Sequence, residues 1–160
     1  MKSILLKWTL CLAVLLMPLN HVMAEEVPGF GDSTWYDYRD QAFSVEDKGM
    51  LNNPIVIETA AQLAQIAWLV NEGGSTFAGK VLVLDADIDL KGPDASGNVT
   101  WIPIGKDETK CFRGIFIGTN PNKEGWEKNV HKISNMYMKA SNDEYTQYYG
   151  LFGYSRGFIG

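Results

Sequence analysis

The sequence predicts a mostly β domain with one packing helix near its start. Three observations predict it. From residue 54 onward, short apolar or alternating runs recur between Gly/Asn/Asp/Pro turns. Only residues 60–71 carry a helical period. The last dozen residues contain Gly150-Leu151-Phe152-Gly153, two large apolar residues between glycines. That motif reads as a short strand turning sharply at both ends, one rung of a stack whose neighbouring rungs are missing.

The N-terminus sets the compartment. Lys2 and Lys7 precede an apolar run from Leu10 to Leu16, Pro18 and Asn20 break it, and Val22-Met23-Ala24 precedes Glu25. This is the layout of a secretory signal peptide, residues 1–24, cut after Ala24. A membrane anchor is the competing reading, but the run is shorter than the ~20 residues that span a bilayer. Cys11 lies too early and follows too bulky a residue for a lipoprotein signal. Cleavage leaves about one small domain. Two lysines leave with the signal and no acid does, so the net charge moves from −5 to −7. An acidic surface argues against nucleic acid and anionic membrane as partners. Cys111 is the one cysteine after the signal, so no intramolecular disulfide is expected.

Residues 25–53 read as an irregular N-terminal arm or cap. Trp35-Tyr36-Asp37-Tyr38 shows no useful period. Its aromatics suit covering the end of a β core, with stacking on a sugar face as the alternative. Ile55-Val56-Ile57 is a β-branched strand. Thr59 is the expected N-cap of a helix over residues 60–71, and Gly73-Gly74 ends it. Leu63, Ile66, Ala67 and Val70 form the apolar stripe, with Gln62, Gln65 and Glu72 off it. Residues 80–84 are the next strand. Alternation continues through Asp85-Ala86-Asp87-Ile88-Asp89-Leu90, which puts three aspartates on one outward face. Such a face could bind calcium, but the run lacks the glycine turn and further oxygens of a complete loop, so a solvated face is preferred. Residues 92–98 are a turn cluster. Residues 111–118 and 131–138 supply further strands, separated by a polar stretch holding Trp126.

Trp101-x-Pro103-Ile104-Gly105, Phe112-x-Gly114-x-Phe116-x-Gly118, His131-x-Ile133-Ser134-Asn135-Met136 and Gly150-Leu151-Phe152-Gly153-Tyr154 stand in this order. The set resembles the GLUG-motif family of bacterial secreted and surface proteins, which includes adhesin-like proteins and N-terminal regions of immunoglobulin-A-cleaving metallopeptidases. The resemblance covers Pro54 to Gly157 and implies the start of a right-handed parallel β-helix or related β-solenoid. Two departures matter. Ile117 stands where the family usually has Asp, and a polar loop is inserted between Gly118 and His131, so an excursion is expected there. The chain also holds a single Gly-Leu-Phe-Gly unit, where solenoids need about three stacked units. Residues 54–160 therefore read as the first part of a longer solenoid, and Leu151, Phe152 and Phe158 are expected to lie uncovered at its end.

An enzyme is not expected. The sequence lacks His-Glu-x-x-His, and His131 is the one histidine after the signal. Ser134 and Ser155 have no evident His/Asp partners. Asp85, Asp87, Asp89 and Arg113 could belong to a polysaccharide-cleaving site only by fold analogy. No catalytic, metal or cofactor residues are assigned; the assigned residues are the structural motif Gly150, Leu151, Phe152 and Gly153. The expected role is a secreted or cell-surface structural or binding module, adhesin-like. Its expected partners are a surface ligand such as a glycan or host protein, and downstream rungs of a longer chain. The alternatives are part of a carbohydrate-active β-helix enzyme, or the noncatalytic leader of a secreted metallopeptidase.

Overall fold

The computed structural model describes residues 33–92, 99–139 and 148–160. The signal segment 1–24, the start of the 25–53 arm and residues 93–98 of the turn cluster lie outside the described residues. The described chain is a small mixed α/β structure with a parallel sheet and one helix. Its elements are β1 (Ile55–Ile57), α1 (Ala60–Asn71), β2 (Val81–Leu84), β3 (Ile88–Asp89), β4 (Ile115–Ile117), β5 (Ile133–Ser134) and β6 (Phe158–Ile159).

The helix forms where its caps and stripe agree. Thr59 has extended backbone and its hydroxyl accepts from the Gln62 amide at 3.2 Å. The Gln62 side chain reaches back to the Glu58 amide at 2.8 Å, so two amides at the helix start are satisfied reciprocally. At the other end Gly74 takes φ +76, and Ser75 N then reaches the Leu69 carbonyl. Leu63, Ala64, Ile66, Ala67 and Val70 are buried in the core. Gln65, placed off the stripe by periodicity, is also buried, and its Oε1 has no hydrogen-bond partner among the described residues. Leu63→Ala should cost about 2–5 kcal/mol by removing a fully buried side chain from this face, read as a lower urea midpoint at unchanged slope. A near-neutral result would make the helix a surface appendage.

Four strands form one parallel sheet in the order β1-β2-β4-β6. Leu82 stands opposite Ile55 on one side and Phe116 on the other, and Phe116 stands opposite Ile159. A second parallel pair joins β3 to β5, with Ile88 opposite Ile133. Single parallel bridges join Thr34 to Thr100, Thr100 to Tyr137, Ile104 to Phe152 and Phe112 to Ser155. Leu82 and Leu84 face the core together with Ile55, Ile57, Ile88, Leu90, Trp101, Ile104, Phe112 and Phe116.

The strands are shorter than the sequence suggests. The alternation expected from Leu84 to Leu90 breaks at Asp85–Asp87. Asp85 N still donates to the Ile57 carbonyl, but Ile88 N donates to Lys132, so the chain leaves one ladder and enters another. Likewise only Ile115–Ile117 of the 111–118 run is strand. Gly114 sits so close to the Phe77 and Lys80 carbonyls and the Phe112 ring that a Cβ there would meet all three.

The described part of the arm packs on the core. Trp35 is buried, its Nε1 donates to the Leu90 carbonyl at 3.1 Å, and its backbone amide donates to Thr100. The Arg39 guanidinium lies 4.7 Å from the Trp68 ring centroid. The fully buried Asn71 ties three regions together. Its Nδ2 donates to the Tyr36 hydroxyl and the Pro103 carbonyl, and its Oδ1 accepts from Gly105 N at 2.8 Å. Among the described residues no helix is long and apolar enough to cross a membrane.

Candidate functional site

After β4 the chain makes an excursion over residues 119–130. His131 N donates to the Gly118 carbonyl at 2.8 Å and closes its base. Inside the loop Thr119 Oγ1 donates to the Trp126 carbonyl at 2.8 Å, and Lys123 N donates to the Asn120 carbonyl. Gly125, at φ +73, leads into a 3₁₀ turn, Trp126–Lys128. From the loop, Asn122 Nδ2 reaches the Leu51 carbonyl ahead of β1, and Lys123 reaches Asp85 just after β2. The excursion thus spans the outer side of β1 and β2. Val83, which alternates with core-facing Leu82 and Leu84, is fully buried there.

Between this loop and the Asp85 corner lies a recess of about 150 Å³, lined by Asp85, Thr119, Asn120, Lys123, Trp126, Asn129 and His131. Asp85 was expected to face outward as part of a solvated aspartate row, and the structure corrects this. Its side chain is 5 % exposed and pairs with Lys123 Nζ at 2.5 Å. The bond to Asp85 holds the Lys123 ammonium above its ordinary pKa, and the charge of Glu58 adds to it. Asp87 and Asp89 do stay exposed, each with its own partners. Asp87 Oδ1 accepts from Lys132 N at 3.1 Å and lies 3.5 Å from His131 Nδ1. The Lys132 amide bond is the main reason its carboxyl sits below the usual range. Asp89 accepts from Asn135 Nδ2 and Lys91 N, which lower its pKa in that order. Among the described residues no group of three His, Cys, Asp or Glu side chains could hold a metal ion.

The other singled-out residues lie elsewhere. Arg113 Nε donates to the buried Cys111 sulfur at 3.1 Å rather than to an aspartate. The Ser134 and Ser155 hydroxyls donate to the Ile88 and Phe112 carbonyls. The Gly150-Leu151-Phe152-Gly153 motif packs against the core with Leu151 and Phe152 half-buried, so the apolar pair expected to be uncovered is covered in part. Leu151 O accepts from Ile104 N and Trp101 Nε1. The Phe152 ring lies 5.2 Å from Phe112 and 5.3 Å from Phe116. Gly153 lies against the Gly105 carbonyl, closer than any side chain would permit. Gly150 N points at the Met138 sulfur at 3.3 Å. Tyr148, Tyr149, Phe158 and Ile159 are exposed at this end.

Sequence reasoning anticipated an excursion between Gly118 and His131 but not the recess. The lining residues are ordinary loop types, and what unites them is that Lys123 folds back onto Asp85, 38 positions earlier. No family model, curated protein or solved structure matches the chain.

Proposed function

We propose that this chain is an exported, noncatalytic binding or structural module of the cell surface, built as a β-solenoid segment of the GLUG-motif kind. The observation that carries this reading is the order of the parallel pairings. The chain passes through β2, β3, Thr100, Ile104 and Phe112, then through β4, β5, Tyr137, Phe152 and Ser155. Each member of the second series lies parallel beside its counterpart in the first. β6 then begins a third passage beside β4. A chain that coils repeatedly in one direction produces that order, and an ordinary sheet with separate crossovers does not require it. The four sequence motifs fall on the second passage and the segments beneath it, and the Gly105–Gly153 approach brings two of them together.

The polar groups support binding rather than turnover. The serine hydroxyls are spent on backbone carbonyls, and the most enclosed carboxylate is neutralised by Lys123. Expression of the full chain in an exporting bacterial host should yield extracytoplasmic protein beginning at Glu25. Incubating it with neutral and acidic polysaccharides should release no new reducing ends or unsaturated products. Recovery of intact Met1 would sink the export assignment, and polysaccharide cleavage would replace the module with an enzyme.

A further inference from the structure

We propose that the recess between the 119–130 loop and the Asp85 corner is a binding subsite for a single neutral sugar unit. This goes beyond the surface-module reading and does not rest on it, because the recess would take a sugar wherever the chain resides. Four observations converge. The first is size: about 150 Å³ suits one ring-sized molecule, well below the ~300–1,000 Å³ of drug-sized pockets. The second is an aromatic wall. Trp126 is 38 % exposed and is the one aromatic among the residues lining the recess besides His131, and an indole offers an apolar surface for the C–H face of a pyranose together with one N–H donor.

The third is unspent hydrogen-bonding capacity. Asn120 is 7 % exposed. Its Oδ1 accepts from Asn122 N at 3.1 Å, while its amide NH₂ has no partner among the described residues. The Asn129 amide and the Trp126 Nε1 likewise have none there, and His131 is oriented by Asp87 through Nδ1, leaving Nε2. Trp126 and Asn129 are open to solvent, and donors and acceptors gathered around one hollow suit a ligand rich in hydroxyls. The fourth is charge. The Asp85 carboxylate is cancelled by Lys123 at 2.5 Å. The recess therefore has no unpaired charge to recognise a carboxylate or phosphate, and the acidic chain as a whole repels anions.

The test is a titration of the full exported protein with D-glucose, D-galactose, D-mannose and N-acetyl-D-glucosamine, with D-glucuronate as the charged comparison. Indole fluorescence and amide NMR shifts are the readouts. At least one neutral sugar should shift Trp126, Asn120 and Asn129 with a dissociation constant on the order of 1–10 mM, the range open to so small a ligand. Trp126→Ala should weaken that binding at least tenfold while keeping the Thr119 bond to the backbone carbonyl that braces the loop. Asn129→Ala, at an exposed position, should weaken it severalfold. Absence of saturable shifts with every neutral sugar would overturn the proposal. So would tighter binding of glucuronate, or sugar binding that both variants leave intact.

Discussion

Gly105→Ala is expected to destabilise the protein by about 3–5 kcal/mol, whereas Gly79→Ala should cost about 1 kcal/mol or less. Both glycines have positive φ, +92 and +73. Both alanines therefore meet the left-handed penalty of about 1–2 kcal/mol, offset in part by a less flexible unfolded chain. A Cβ at Gly79 enters open space, while one at Gly105 runs into the Tyr154 carbonyl. Relieving that overlap must separate Gly105 from Tyr154. The motion breaks the Tyr154 N–Gly105 O bond at 3.1 Å and strains the buried Gly105 N–Asn71 Oδ1 bond at 2.8 Å. Each such bond is worth about 1 kcal/mol, and an orphaned buried group costs more. Urea midpoints of the two variants measure the difference. Equal losses would mean that backbone conformation alone, and not the approach of the two glycine-bearing segments, made glycine necessary at Gly105.

Phe112→Ala should cost about 3–5 kcal/mol, and Phe158→Ala should stay within about 0.5 kcal/mol of the parent protein. Phe112 is fully buried, with ring centroids of Phe77 at 6.3 Å and Phe152 at 5.2 Å. Phe116 packs on Phe152 in turn. These four rings come from three separate stretches of chain, around Phe77, residues 112–116 and Phe152, so the cavity left at Phe112 opens between passages that no local hydrogen bond could hold together. Phe158 is 63 % exposed on the outermost strand. Thermal and urea unfolding should both shift for the first variant and neither for the second. A loss below about 1 kcal/mol at Phe112 would mean that the passages are held by their backbone ladders and not by a shared aromatic core.

The sequence by itself determined the features that depend on neighbours a few residues apart. The helix Ala60–Asn71, its Thr59 cap and the strand Ile55–Ile57 agree with the pattern reading residue for residue, because capping and a 3.6-residue stripe are local chemistry. Of the face that alternation assigns to Leu84, Ala86, Ile88 and Leu90, the three larger residues lie in the core and Ala86 is half-buried. The tertiary structure decided what depends on partners far along the chain. Asp85 alternates with apolar residues like its neighbours Asp87 and Asp89, yet Lys123 draws it into a recess while they stay in solvent. Phe77 takes φ +56, a conformation bulky residues avoid, and is held there buried beside Phe112. The 111–118 run shortened to three residues because Gly114 bends around the Phe77 and Lys80 carbonyls. Leu151 and Phe152 turned inward because Ile104, Phe112 and Phe116 were already there to receive them. Periodicity tells a side chain which face it shares with its neighbours. In parallel ladders of two to four residues, what lies against that face is supplied by a segment dozens of positions away, and only folding brings it there.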